Sequence, residues 1–263
     1  MFVGTSRFVL VNILKVPNFS YAMNLVSMIR VISSGSCGNA YILECENEIL
    51  ILELGISWKD IVKALNFDLS KIVACVVTHK HTDHAKSIKD AIKAGFPVYS
   101  TSEVQLIHPK VNVPKIGEKT RIGGFSIQPL SVPHSCECYA YIIQHEEFGK
   151  LVFATDCSAF KYKIKSVNHW LLEANYSEQI LITKMCDNEM GRSIYWNHLE
   201  LEDCINALKV NFSADTQSIT LIHLSDTNSD EKEFVQRVKR ELGFDNVIAA
   251  NKGDIVELIK EEF

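Results

Sequence analysis

The chain has 263 residues, 47% of them hydrophobic, enough to bury a large core as one sizeable domain or two closely fused halves. Its 27 lysines and arginines stand against 32 aspartates and glutamates, which excludes a global basic field drawing it to nucleic acid or an anionic membrane and leaves room only for a local basic groove. The eight cysteines are scattered without a C-x-x-C pair, and their apolar surroundings suit the reduced thiols of a cytoplasmic protein.

Residues 1–27 fit poorly with the remainder of the chain. Arg7, Lys15 and Pro17 interrupt their apolar pieces, so no run of about 20 apolar residues spans a bilayer, and no basic start, apolar centre and cleavage site succeed one another as in a secretory signal. They read as an N-terminal extension or a start assigned upstream of Met28, with residues 28–263 as the folded domain and no membrane partner.

From Met28 the pattern predicts strands over 28–32 and 40–43 around a turn-rich loop. The loop's glycines permit tight geometry and either offer N–H groups to a phosphate or make a plain hairpin connection. A third strand over 48–54 ends at Glu53, and Ser57 caps a helix running through 65. The apolar strand 72–77 leads into Thr78-His79-Lys80-His81-Thr82-Asp83-His84 and a helix over 83–94. Its Lys86, Lys89 and Lys93 share a stripe, either a solvated face or a contact for a nucleic-acid backbone. A short strand over 97–100 and a helix from Ser102 come next.

A β region over 120–132 then leads to Pro133-His134, and beyond it lie strands over 139–144 and 150–154, the second ending at Thr155-Asp156. Cys136 and Cys138 either lie near a site at His134 or merely open the next strand. Beyond come a strand over 167–174 carrying Glu173, helices over 177–185 and 199–210, the latter just after His198, and a strand over 218–224 carrying His223. An amphipathic helix over 230–242 and strands over 246–250 and 255–259 close the chain.

Three histidines and an aspartate fall within six residues, His79-x-His81-x-Asp83-His84, at the mouth of a buried strand. Histidines at i and i+2 can converge on one metal from a turn while Asp83 and His84 face a second. Neutral imidazole with carboxylate suits zinc, and also manganese or iron as the carboxylate share rises. A lone histidine on an apolar face is usually structural; this density points to a metal. Further ligands must come from distant strand ends, where His134, Asp156 and His223 stand. Two metals sharing a bridging carboxylate would activate water and stabilise charge on a phosphoryl oxygen.

Together with the Ser-Gly-Ser-x-Gly-Asn loop, Leu172-Glu173-Ala174-Asn175-Tyr176 and Leu221-Ile222-His223-Leu224-Ser225-Asp226, these motifs resemble the metallo-β-lactamase-fold metallohydrolases, more narrowly the WalJ/YycJ-type and phage-type branch related to RNase Z. The resemblance covers the chain from Met28 onward and implies an α/β fold, a four-layer αββα sandwich. It implies two divalent ions, zinc or manganese: His79, His81 and His134 at one, Asp83, His84 and His223 at the other, and Asp156 bridging. Asp83 counts also among the catalytic residues, with His198 as proton donor to the departing oxygen and Glu173 in support. The plain alternative is that His198 only caps the helix after it.

There are departures from the family pattern. Glu53 stands where many members carry aspartate and is expected to partner a ligand histidine. Ser135 and Cys136 come after His134 where an aspartate is common, and no insertion resembles the tRNA-gripping arm, which argues against tRNA 3′ processing.

The expected activity is a metal-dependent phosphodiesterase, first a DNA exonuclease-like nuclease, then a cyclic-nucleotide phosphodiesterase or RNase, and from another class a non-catalytic, metal-stabilised binding module. Candidate substrate contacts are Ser36 and Asn39 of the loop and Lys161 and Lys163, which alternate with Lys165 after Asp156. No aromatic stacking platform stands out. The partners implied are a DNA or nucleotide substrate, a recombination protein and a second copy in a homodimer.

Overall fold

Runs such as Ile-Leu-Ile-Leu at 49–52 and Ile-Val-Ala-Cys-Val at 72–76 are apolar at nearly every position because both faces of their sheet are covered. A computed structural model describes residues 27–184 and 189–259; the expectations for residues 1–26 and for the end of the 177–185 helix lie outside them. Strands β1 (Ser27–Ser33), β2 (Ala40–Glu44), β3 (Ile49–Leu52), β4 (Ile72–Val76) and β5 (Val98–Tyr99), joined by the last strand β13 (Ile255–Leu258), form a six-stranded sheet in the order β13-β1-β2-β3-β4-β5.

The second sheet has seven strands: β6 (Thr120–Ile122), β7 (Phe125–Val132), β8 (Cys138–His145), β9 (Gly149–Ala154), β10 (His169–Glu173), β11 (Ser218–Ile222) and β12 (Val247–Ala249). They lie in the order β12-β11-β10-β9-β8-β7-β6, antiparallel from β6 to β9 and parallel from β9 to β12.

Alternation along the strands assigns the layers. Leu50 and Leu52 pack between the sheets with Phe125, Tyr141 and Phe153. Ile49 and Ile51 pack outward with Ile61 of α1 (Trp58–Ala64), Ile88 of α3 (Ile88–Lys93) and Val104 of α4 (Ser102–Ile107). On the far side Trp170 and Leu172 join Cys204 and Leu208 of α7 (Leu201–Asn211) and Phe234 and Val238 of α8 (Glu231–Leu242). Helix, sheet, sheet and helix therefore stack as the αββα sandwich. Among the described residues no helix is long and apolar enough to cross a membrane.

Two elements differ from those expected on sequence grounds. The helix expected over 83–94 is two: α2 (Thr82–Ala85) and α3, separated at Ser87, whose N–H and hydroxyl both donate to the Leu54 carbonyl, at 2.9 and 3.1 Å. That tertiary bond outcompetes helix continuation. After α5 (Glu178–Lys184) comes α6 (Glu189–Asn197), where no element is expected on sequence grounds. Ser57 and Asp230 cap α1 and α8, accepting from the Asp60 and Glu233 N–H groups.

Candidate metal centre

The candidate residues at strand ends gather at one edge of the sandwich, where β3, β4, β9, β10 and β11 all finish, the usual place for a ligand in a parallel sheet. Three of these ends turn in left-handed backbone without glycine: Glu53 (φ 66°), Asp156 (φ 50°) and His223 (φ 54°). Such conformations cost on the order of 1–3 kcal/mol each and mark positions the surrounding structure over-determines for function.

Tight packing of three chain segments fixes the loop after β4. The Asp83 carbonyl accepts from the Asn39 N–H at 2.8 Å, the Asn39 carbonyl accepts from the Gly55 N–H at 2.9 Å, and a Cβ at Gly55 would overlap the Asp83 carbonyl oxygen. Gly55→Ala is therefore expected to lower stability by about 1–3 kcal/mol or more, read as a drop in the denaturant midpoint, with reduced metal content. An unchanged midpoint would contradict this crossing.

Side-chain nitrogens and oxygens converge in two groups. His81 Nδ1 lies 3.0 Å from His79 Nε2 and 3.1 Å from His134 Nε2, and both Nε2 atoms are 3.9 Å from Asp156 Oδ2. His84 Nε2 lies 3.2 Å from Asp156 Oδ1 and 3.3 Å from Asp83 Oδ2, and His223 Nε2 stands 3.5 and 3.8 Å from the same oxygens. Donor atoms around a tetrahedral ion with bonds of about 2.05 Å are about 3.3 Å apart. The two oxygens of Asp156 thus serve two groups, one on each side.

Outer contacts hold His79, His134 and His223 by Nδ1, and His84 turns its Nδ1 to a carboxylate without a hydrogen bond, so all four leave Nε2 toward the centre. His79 Nδ1 is 2.9 Å from Thr78 Oγ1, which donates to Glu53 Oε1 at 2.6 Å. His84 Nδ1 is 3.4 Å from the same Glu53 oxygen. His134 Nδ1 is 2.9 Å from the Asn197 carbonyl, and His223 Nδ1 is 3.1 Å from Glu173 Oε1. His81 is reversed, with Nε2 4.0 Å from Cys136 Sγ. Such contacts fix the tautomer and ring orientation of ligand histidines. The fit to an ion is sharpest at His223, whose buried Nε2 faces two carboxylates without a hydrogen-bond partner.

The two groups differ in charge. Burial, with His84 beside it, pushes His79 well below its ordinary pKa, and burial likewise lowers His134. At His84 and His223 burial also opposes the charged form, but Asp156 and the neighbouring carboxylates outweigh it, raising His84 well above the ordinary value and His223 to about 10. Burial disfavours ionised Asp156 and Asp83, yet the facing histidines hold both below the usual carboxylate range.

His198 and Glu173 complete the edge. His198 Nδ1 is 2.7 Å from Glu173 Oε1, and its ring stacks on His223 with centroids 5.3 Å apart. Glu173 Oε2 accepts from the N–H groups of Cys157 and Leu199, both at 3.0 Å. Against burial, Glu173 raises the His198 pKa. His81, Asp83, His134, Asp156, His198 and His223 all line a cavity of 570 Å³, with Ser36 at its rim.

Other candidate contacts stand elsewhere. Asn39 is fully buried, its side-chain amide engaged by Gly35 and Asp83 and 3.1 Å from His84 Nε2, so it holds the loop instead of facing substrate. Gly35 and Gly38 likewise commit their N–H groups within the loop. Lys161 and Lys163 are exposed and alternate with Tyr162 and Ile164, which pack inward, but neither lysine lines the cavity, nor do Lys86, Lys89 or Lys93. Two asparagines not among the candidate residues join the site, one of them inside the Leu172–Tyr176 motif. Asn175 donates to the His223 carbonyl at 2.8 Å, and Asn197 supports His134 from α6.

Paired histidine–carboxylate groups at one edge of an αββα sandwich define a metal-dependent hydrolase of the metallo-β-lactamase fold. Residues 60–224 match the family described as the beta-lactamase superfamily domain, and the chain belongs to that family. It is 26% identical over 236 residues to exodeoxyribonuclease YycJ of Bacillus anthracis, covering 81% of this chain and 89% of the relative. With exodeoxyribonuclease WalJ of Streptococcus pneumoniae it shares 23% identity over 220 residues, covering 76% and 82%. Among solved structures, the metallo-beta-lactamase fold protein YhfI from Bacillus subtilis superposes with a TM-score of 0.69 at 17% identity over 88% of this chain and 99% of that one. Human tRNase Z, short form, gives 0.62 at 12% identity over 88% and 99%. These structural likenesses concern the fold.

Proposed function

We propose that the chain is a two-metal nuclease that hydrolyses phosphodiester bonds in DNA, in the manner of an exonuclease. The observation that carries this reading is the division of the Asp156 carboxylate between two groups of ligand atoms, with the His198–Glu173 pair beside it. His79, His81, His134 and Asp156 Oδ2 would hold one ion, and Asp83, His84, His223 and Asp156 Oδ1 the other, zinc or manganese. When bound, the ions supply an activated water and stabilise charge on the phosphoryl oxygens.

The remaining work falls to the chain's own groups. Glu173 orients His198 through Nδ1 and keeps it protonated, so its other nitrogen can deliver a proton to the oxygen that leaves phosphorus as water adds. Ser36, Asn175, Ser225 and Asn228 give the cavity a polar, uncharged wall suited to a phosphate and sugar. Outside the cavity the exposed Lys86, Lys89, Lys93, Lys161 and Lys163 are available to the phosphates of a longer strand.

Purified protein with manganese or zinc is expected to release nucleotides from 5′-labelled single- or double-stranded DNA, and His81→Ala to abolish that release. DNA left intact while cyclic mononucleotides are opened would replace this reading with a cyclic-nucleotide phosphodiesterase.

Metal loading should also displace protons. Asp156 and the neighbouring carboxylates favour the charged forms of His84 and His223, so filling their side should release protons, and apparent affinity weakens as pH falls. Calorimetry in buffers of different ionisation heat reads the release directly. Uptake of both ions at pH 7 without proton release would contradict the charge assignment.

A further inference from the structure

At the opposite edge of the sandwich a second set of ligand atoms comes together. Cys45 lies just past β2 in the first sheet, while His145 ends β8 and Glu147 lies in the turn to β9 in the second, so the three residues join the two sheets. Their ligand atoms lie within 4.8 Å of one another, with Cys45 Sγ 3.4 Å from His145 Nδ1. Cys45 and His145 are only 3% and 8% exposed.

The surroundings have the form of a metal site's outer contacts. His145 turns its other nitrogen, Nε2, to Glu48 Oε1 at 3.1 Å, and the Gly124 N–H fixes that carboxylate at 2.8 and 2.9 Å. Nδ1 faces the Cys45 thiol and accepts from the Glu147 N–H at 3.3 Å, so with a carboxylate behind Nε2 the ring is oriented as in a ligand histidine with its Nδ1 lone pair on the thiol side. Glu147 is held by the Ser27 hydroxyl at 2.6 Å and the Glu46 N–H at 3.1 and 3.2 Å. These donors position the carboxylate and leave it further lone pairs.

We propose that Cys45 Sγ, His145 Nδ1 and a carboxylate oxygen of Glu147 hold a zinc ion that staples the two sheets together at the edge away from the catalytic centre. Sulfur, nitrogen and oxygen in one three-residue set select zinc over manganese, which favours oxygen. The observed sulfur–nitrogen separation matches neighbouring ligands on a tetrahedral ion, for which about 3.5 Å is expected. In the metal-free chain burial pushes the Cys45 thiol up to about 12, so zinc displaces the thiol proton to solvent as the sulfur–zinc bond forms.

The site shares no residue with the proposed catalytic centre, and its test is separable. Full-length protein is stripped with a chelator, reloaded with zinc alone and its metal counted by mass spectrometry, for wild type, Cys45→Ser, Glu147→Gln and His81→Ala. Both Cys45→Ser and Glu147→Gln should hold one zinc fewer per chain than wild type, melt earlier, and keep DNA hydrolysis unchanged. His81→Ala should lose zinc from the catalytic centre and keep the staple. With cobalt in place of zinc, a thiolate-to-metal absorption should appear in wild type and vanish in Cys45→Ser; Glu147→Gln keeps the count informative if Cys45→Ser fails to fold. Equal zinc in wild type and Glu147→Gln, or a cobalt–thiolate band that survives Cys45→Ser, would overturn the proposal.

Discussion

Asp156→Asn is expected to reduce hydrolysis by on the order of 10³-fold or more and to remove at least one ion per catalytic centre. The substitution preserves the shape of the side chain but replaces one oxygen by an amide nitrogen that carries hydrogens toward the ligand histidines. Oδ1 faces His84 and His223 while Oδ2 faces His79 and His134, so one of the two groups loses its shared ligand whichever way the amide turns. The negative charge that keeps His84 and His223 protonated in the metal-free chain goes with it. Metal counting and single-turnover hydrolysis on the same preparation check both halves. Full metal content with near wild-type turnover would mean that Asp156 bridges nothing.

His198→Ala separates proton delivery from metal binding. Its ring touches Glu173 and stacks on His223, and its shortest distance to the central carboxylate is 3.9 Å from Nδ1, the nitrogen already occupied by Glu173. We expect kcat on DNA to fall by about 10²- to 10³-fold with metal content unchanged. The loss should shrink on a p-nitrophenyl phosphodiester, whose leaving group needs no proton. Glu173→Gln should behave differently, because Glu173 also contacts His223 and two backbone N–H groups, so rate and metal affinity fall together. An equal loss for His198→Ala on both substrates would leave His198 only the capping role.

Much of the candidate site is legible in the amino-acid order because most of its proposed ligands sit where strands buried on both faces stop. The dense cluster from His79 to His84, Asp156 and His223 follow apolar runs, whereas His134 follows the alternating strand β7, which keeps a polar face. The features that escape the sequence depend on tertiary contacts. Ser87 breaks a helix because the Leu54 carbonyl lies within reach, and only the fold brings the Asn197 carbonyl at the end of α6 to His134. Asn39 looks like a loop residue open to substrate, yet the crossing at Gly55 buries it.

Lysine spacing has the same limit. It tells which side chains share a face, as at Lys161 and Lys163, and says nothing of where that face lies relative to the cavity. The left-handed backbone at Glu53, Asp156 and His223 escapes propensity entirely, since no glycine marks it. Cys45 and His145 are 100 residues apart and meet only because β2 and β8 end on the same edge of facing sheets.

The most direct test is a manganese titration of the metal-free protein during digestion of labelled DNA. Nucleotide release should be absent before loading, rise as the histidine–carboxylate centre fills, and stay absent in Asp156→Asn at every concentration. Release at full rate without metal, or a fully loaded protein that leaves both single- and double-stranded DNA intact, would contradict a two-metal nuclease.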